Sequence, residues 1–301
     1  MQKFLAGIVL YNADIQRLYT EIKSILFQVE LVVLCDNGST NIYDIEKIIR
    51  KFENIVLLKN EHNLGIGVAS NQILKYAYEN KYDWVLLLDH DTICPSNIIR
   101  EYSKYIGNDS IGMICPKVVD KEIVNNNIYG SSEKNIEYIN RCIQSATFVK
   151  TVAWKQSNGF NEWMFIDFVD FDFCKRLEIN GYKILRCNTV TVDHQLGKRE
   201  RTSNADFFNK LYKLTNFRGF KYFTYKNVYS KARVFYCTRN NIVYIKTYKD
   251  TINIAKEWKD FFSRIVRRII RSKNKWMIFK ETIKGIVAGI KFDDNNIING
   301  K

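Results

Sequence analysis

The sequence predicts an α/β protein built on a doubly wound, mostly parallel sheet, and three observations carry that expectation. From Phe4 to Leu88 short apolar runs alternate with segments of helical periodicity, the order that places helices on both faces of a parallel sheet. The run Val85-Leu86-Leu87-Leu88 is apolar at every position, as in a strand covered on both faces. Several runs end in Asp or Asn, at the carboxyl ends of strands where open α/β sheets bind their ligands.

Phe4 to Tyr11 reads as the first strand, and Asp14 to Phe27 as a helix with Ile15, Leu18, Ile22, Ile25 and Leu26 along one face. Leu31 to Cys35 is a second buried strand that runs into Asp36-Asn37-Gly38. A helix over Ile42 to Phe52, a strand at Ile55 to Leu58, a loop through Asn63-Leu64-Gly65 and a helix over Ala69 to Tyr78 lead to the strand that ends at Asp89. Further on, a helix is expected to begin near Val169, and another strand ends at Val192-Asp193-His194. Pro95 and Pro116 are the only prolines and are expected at element boundaries, because a fixed φ and a missing donor suit neither helix nor sheet interiors.

With 301 residues, 46% of them hydrophobic, the chain has ample material for a packed core and is not a disordered protein. No run reaches the length of a membrane span and Met1 to Tyr11 lacks a small-residue cleavage site, so neither a transmembrane helix nor a signal peptide is expected. Seven cysteines stand singly, with no Cys-x-x-Cys pair, which favours buried thiols in a reducing compartment over disulfides or zinc. Charge is divided unevenly: residues 1–194 hold 21 Lys+Arg against 24 Asp+Glu, while residues 195–301 hold 25 against 8. A near-neutral body with a basic last third points to an anionic partner for that third. The expected organisation is a catalytic domain over residues 1–205 and a basic helical region over 206–301.

The chemistry gathers at the strand ends. Asp89 and Asp91 are two residues apart and would share one side of the crevice lip. Such a pair suits Mg2+ or Mn2+ bridging a diphosphate, although Asp-x-Asp alone is equally a capping pattern. Asp36 can accept hydrogen bonds from a base or ribose, or cap the helix after the Asp-Asn-Gly-Ser-Thr turn. Gly65-Ile66-Gly67 lacks the third glycine of a dinucleotide fingerprint, with Ser70 in its place, so a nicotinamide site is not expected. Those glycines are expected instead to let the backbone approach a ligand, with Asn71 one turn into the helix. Asp167, Asp170 and Asp172 form a second acidic cluster that serves either a helix N-terminus or a general base. His194 is either a structural histidine or a ligand for manganese or iron.

Taken together, the ordered segments Ala6-Gly7-Ile8-Val9-Leu10-Tyr11-Asn12, Asp36-Asn37-Gly38-Ser39, Asn63-Leu64-Gly65-Ile66-Gly67 with Asn71, Leu88-Asp89-His90-Asp91, and Phe165-Ile166-Asp167-Phe168-Val169-Asp170 with Arg176 resemble the family 2 glycosyltransferases of GT-A fold. His194-Gln195-Leu196-Gly197 is similar to a motif of their bacterial rhamnosyltransferase branch, and Arg233, Tyr236, Arg239 and Asn240 look like its later segment. The resemblance spans residues 4 to about 245. It implies inverting transfer of a sugar, rhamnose from dTDP-rhamnose, to a hydroxyl of a glycan or lipid-linked acceptor in bacterial surface polysaccharide synthesis. It further implies Asp36 on the base, Asp89 near the ribose, Asp91 on a divalent metal (Mg2+ or Mn2+), His194 beside metal and diphosphate, and Asp170 as general base. Tyr11, Asn12, Asn37, Gly65, Gly67 and Asn71 complete the donor-binding set that it implies. His90 stands where the branch often has Gln, which leaves a UDP-hexose open as donor, while Val169 replaces the usual Glu as in the rhamnosyl branch.

Other classes are less consistent with the sequence. A nucleotidyltransferase is expected to carry a Gly-rich phosphate loop after the first strand, where Tyr11-Asn12 stands, and a non-catalytic nucleotide-binding module has no use for Asp170. A nucleic-acid-binding protein would explain the basic last third but not its apolar stripes. From Trp258, residues Phe261, Phe262, Ile265, Val266, Ile269 and Ile270 recur at helical spacing among arginines, and Trp276, Phe279, Ile283, Ile286, Val287 and Ile290 repeat the pattern. Two basic amphipathic helices of this kind either pack on the body or lie in a lipid interface. The expected location is the cytoplasm, peripheral at the inner face of the cell membrane, on an anionic surface.

Overall fold

The computed structural model describes residues 3–90, 92–119, 134–193, 199–217, 220 and 223–292. The chain divides into two compact units: Met1–Phe165 with Val169–His194, and Ile166–Phe168 with Gln195–Lys301. The boundary expected after residue 205 therefore lies inside the second unit.

In the first unit the chain runs β1 (Phe4–Leu10), α1 (Ile15–Ile25), β2 (Leu31–Asp36), α2 (Ile42–Ile49), β3 (Ile55–Lys59), α3 (Ile66–Glu79) and β4 (Trp84–Asp89). It continues through α4 (Ile98–Ser103), β5 (Ile111–Val119), β6 (Ile136–Ile139), β7 (Thr147–Lys150), α5 (Thr151–Gln156), a 3-10 turn (Glu162–Met164), α6 (Val169–Ile179) and β8 (Lys183–Asp193). The strands form one sheet in the order β3-β2-β1-β4-β7-β5-β8-β6. β1 is parallel to both β2 and β4, and β2 to β3, whereas β7 runs antiparallel to its neighbours β4 and β5. β4 is thus an inner strand, and Trp84 to Leu88 are buried.

Local chemistry sets the element ends. Asp14 begins α1 by accepting the Arg17 N–H at 2.8 Å, the side-chain cap that an orphan helix donor requires. α3 starts three residues before the expected Ala69, because Gly65 leaves the strand-to-helix loop at φ +92°. Pro116 falls inside β5 rather than at its boundary; it sits at a register shift against β8, where an irregular ladder tolerates a missing donor. An apolar cluster that includes Ile8, Leu10, Ile22, Leu34, Leu86, Leu88, Tyr102 and Phe148 packs in this unit. All seven cysteines are free thiols, six of them buried.

The second unit contains β9 (Arg199–Arg201), α7 (Ala205–Thr215), β10 (Tyr225–Asn227), α8 (Lys231–Thr247), α9 (Ile254–Arg271) and α10 (Lys275–Lys291). Its own apolar cluster joins Ile242, Ile245 and Phe261, with Trp258, Ile265 and Ile286 packed against it. The expected stripe on α9 is therefore split, since Phe262, Val266 and Ile270 face outward and are exposed. No helix among the described residues is long and apolar enough to cross a membrane.

Candidate active site

The site is built on the carboxyl end of β1. Register pairs Leu10 with Asp36 on one side and Val9 with Asp89 on the other. Asp36 and Asp89 thus flank the same strand end about 10 Å apart, two inter-strand spacings.

Asp36 is buried. Its Oδ2 accepts the Ser39 N–H at 3.1 Å, which is the turn-capping role, while Oδ1 has no hydrogen-bond partner among the described residues. A buried carboxylate oxygen without a donor is costly, and a ligand N–H is the kind of group that would satisfy it. Next to it, burial and then the Asp36 charge push the Cys35 thiol up to about 12.

The neighbouring polar residues hold the loops. Asn12 sits at φ +50°, donates its N–H to Ser39 Oγ at 2.8 Å, and accepts from both the N–H and hydroxyl of Thr40 at 2.9 Å. Tyr11 beside it is exposed. Asn37 Nδ2 donates to Asn63 Oδ1 and to the Gly65 carbonyl, and its Oδ1 accepts from Leu64 N and Asn60 Nδ2. This network fixes the loop that carries Gly65.

In the direction a Cβ would take, the space beside Gly65 and Gly67 is filled by protein backbone. A Cβ on Gly65 would lie 2.6 Å from the Phe165 carbonyl oxygen, and one on Gly67 3.0 Å from that of Asn161. Both glycines admit protein backbone, and Ile66 N–H donates to the Phe165 carbonyl across the same contact at 2.8 Å. Asn71 is held by protein as well. Its Nδ2 donates to Phe160 O and Glu162 Oε1, and its Oδ1 accepts from Trp154 Nε1 and Phe160 N. An amide has two donors and two acceptor sites, so no capacity is left over.

In the second acidic cluster the three carboxylates separate by environment. Asp172 is buried and accepts Arg176 Nε at 2.6 Å one turn along α6. Asp167 pairs with Arg233 at 3.0 Å. Asp170 is half-buried in the first turn of α6, where its Oδ1 accepts the Phe171 N–H at 2.9 Å. Ahead of it the backbone is strained: Phe165, Asp167 and Phe168 all have φ between +61° and +67°, each costing roughly 1–3 kcal/mol and clustering where function demands it. Asn240 holds Ile166–Phe168 by donating to the carbonyls of Ile166 and Asp167 at 2.9 and 2.8 Å, and Arg264 lies over the Phe168 ring. The anchoring role of Asn240 and Arg264 was not legible in the sequence, because nothing local to a helix marks an amide that reaches a loop seventy residues earlier. Arg239 stacks on Tyr236, and burial lowers its guanidinium to about 10, so it stays charged at neutral pH.

His90 is half-buried beside Asp89, and Thr92, just after the acidic pair, is fully buried with its hydroxyl 2.7 Å from Ser145 Oγ. The two metal-ligand candidates, Asp91 and His194, lie outside the described residues. Among the described residues no three His, Cys, Asp or Glu side chains come together as a metal site.

A mostly parallel sheet with acidic groups at the ends of β2 and β4, a second acidic cluster at the start of α6, and helices after the sheet defines a glycosyltransferase of GT-A fold. The family model described as Glycosyl transferase family 2 matches residues 6–165, more than half of the chain, and the protein belongs to that family. It is 25% identical over 207 residues to the dTDP-rhamnosyl transferase RfbF of Shigella flexneri, a match covering 64% of this chain and 69% of that one. Among solved structures, TarS residues 1–349 of S. aureus superimposes with a TM-score of 0.50 at 16% identity, over 100% of this chain and 92% of that one. GalNAc-T7 with UDP, GalNAc and Mn2+ gives a TM-score of 0.54 at 13% identity, over 93% of this chain and 57% of that one. At such identities the two structures speak for the fold alone.

Proposed function

We propose that the protein is an inverting, metal-dependent rhamnosyltransferase that moves rhamnose from dTDP-rhamnose to a hydroxyl of a glycan or lipid-linked acceptor, in bacterial surface polysaccharide synthesis at an anionic cytoplasmic membrane surface. The observation that carries the donor reading is the pair Asp36 and Asp89 on either side of one strand end, with a buried Asp36 oxygen lacking a donor. The similarity to a dTDP-rhamnosyl transferase supports rhamnose as the sugar.

In this reading Asp36 accepts a base N–H and Asp89 a ribose hydroxyl. The acceptor oxygen attacks the anomeric carbon as the bond from that carbon to the diphosphate oxygen breaks, and the nucleoside diphosphate leaves. Asp170, half-buried in the first turn of α6, takes the hydroxyl proton, the role that the family resemblance implies for it. Single displacement inverts the anomeric configuration. The donor chemistry of Asp91 and His194, a hard carboxylate and an imidazole following the half-buried Asp89, fits Mn2+ or Mg2+. A divalent ion there would neutralise charge on the leaving diphosphate.

A UDP-hexose is the second reading, favoured by His90 in place of Gln and by a structural relative that binds UDP. Transfer assays with dTDP-rhamnose and UDP-hexoses, scored for release of the nucleoside diphosphate, test both. Turnover with dTDP-rhamnose is expected, and turnover with a UDP-sugar alone would replace the rhamnosyl reading.

A further inference from the structure

The second unit turns its large apolar side chains outward on three separate helices. On α10 the inward face is small: a Cβ on Gly285 would lie 2.8 Å from the Phe235 carbonyl oxygen of α8, and one on Gly289 3.0 Å from that of Arg239. α10 is therefore seated on α8 by Thr282, Gly285 and Gly289, with Ile278 buried, while Trp276, Phe279, Ile283, Val287 and Ile290 are exposed, Trp276 to 74%. Burial in the unit's core would demand the opposite orientation, with bulky residues inward. On α9, Phe262, Val266 and Ile270 repeat every four residues on the exposed side.

The third helix was not marked by the sequence pattern. β9 and β10 pair antiparallel and close the loop that contains α7. Of the eleven residues of α7 only Ala205 is buried, and Phe207 and Leu214 are exposed to 60% and 82%. Phe217 just beyond is exposed, and Phe208 stacks on Phe223 at 5.2 Å, so the excursion holds its shape through its own rings. It is tied to the α9–α10 junction by Lys273 to Glu200 at 3.1 Å, three residues before Trp276.

We propose that this excursion and the outer faces of α9 and α10 form one composite docking surface for an anionic phospholipid bilayer. Residues 199–229 carry 7 Lys+Arg against 2 Asp+Glu, and residues 254–291 carry 11 against 3, of which Glu257 and Glu281 are buried. Basic residues interleaved with exposed rings and aliphatic chains match a negatively charged leaflet, where each cation adds to attraction and the apolar chains enter the interface. A second copy of the chain would oppose like charge with like charge, and nucleic acid has no use for exposed Val and Ile side chains. The inference deepens the membrane part of the proposed function and does not depend on the donor sugar.

The test is co-sedimentation of the full chain with vesicles of phosphatidylglycerol mixed with phosphatidylcholine, at low salt. Wild type is expected to sediment with these and not with phosphatidylcholine alone, and brominated acyl chains should quench fluorescence that the Trp276→Phe variant lacks. The set Phe207→Asp, Leu214→Asp, Phe217→Asp, and separately Trp276→Asp with Phe279→Asp, should each lower vesicle binding by about tenfold or more. These positions are solvent-facing, so unchanged circular dichroism and unchanged turnover on a short soluble acceptor should accompany the loss. Indifference of wild type to anionic vesicles overturns the proposal, and normal binding by the α7 set removes the excursion from it. Vesicle-free dimerisation that these substitutions abolish would assign the face to self-association instead. Loss of all transfer activity with intact vesicle binding would sink the transferase reading alone.

Discussion

Asp172 and Arg176 form a buried ion pair at 2.6 Å along α6, one helical turn apart and just past Asp170. That pairing gives Asp172 a structural contact. Asp170→Asn is expected to lower turnover by about 10²- to 10⁴-fold with nucleotide affinity nearly unchanged. Asp172→Asn should instead lower the melting temperature, because it removes the buried negative charge that Arg176 pairs with. Parallel kinetics and thermal melts distinguish the two, and wild-type turnover in Asp170→Asn would move the base elsewhere.

Asp36→Asn retains an oxygen for the Ser39 N–H but removes the charge at Oδ1. A hydrogen bond to a charged acceptor contributes about 1.5–3 kcal/mol, so calorimetry should show dTDP binding weakened by roughly ten- to hundredfold. Equal affinity in mutant and wild type would mean that the nucleobase does not reach Asp36.

Gly65→Ala must place a Cβ 2.6 Å from the Phe165 carbonyl at φ +92°. The expected penalty is at least about 1–3 kcal/mol. Gly67→Ala, at 3.0 Å and without a positive φ, should be milder. Chemical denaturation of both variants measures the difference; equal stabilities would contradict the close approach.

Chelation, or Asp91→Ala, is expected to weaken dTDP binding in a titration with and without Mn2+ or Mg2+, as well as to stop transfer. Metal-independent nucleotide affinity together with full turnover in excess chelator would remove the ion from the site.

Alkaline pH should destabilise the native state through its buried thiols. The Cys35 thiol is raised to about 12 and Cys94 is also raised, both chiefly by burial. A thiol in the unfolded chain ionises near 8.5. The protonated native form is thus fully favoured below about 8.5, and stability falls between there and about 12 as the unfolded state sheds protons. Urea midpoints at neutral pH and near pH 10 should differ in that direction, and native Cys35 should resist alkylation at neutral pH.

Most of the first unit was legible because periodicity and burial agree there: β1, β2 and β4 are apolar throughout and end at the polar residues that the sequence singled out. What escaped depended on long-range partners. The protein neighbours of Gly65, Gly67 and Asn71 are the Asn161–Phe165 backbone and Trp154, partners that a glycine or an amide does not announce in the sequence. The α9 stripe was read as one face, yet Phe261 is buried while Phe262, adjacent in sequence, is exposed, because the stripe is wider than the core it meets.

Within the second unit the segment Ile166–Phe168 takes its partners Arg233, Asn240 and Arg264 from α8 and α9, all encoded more than sixty residues later. A ribosome therefore releases the residues just before Asp170 well before it releases what holds them. The contacts that α8 and α9 make with the strained backbone at Asp167 and Phe168 are therefore absent from a nascent chain ending at residue 194. The loop accordingly gains these contacts late in synthesis, once the basic helices exist.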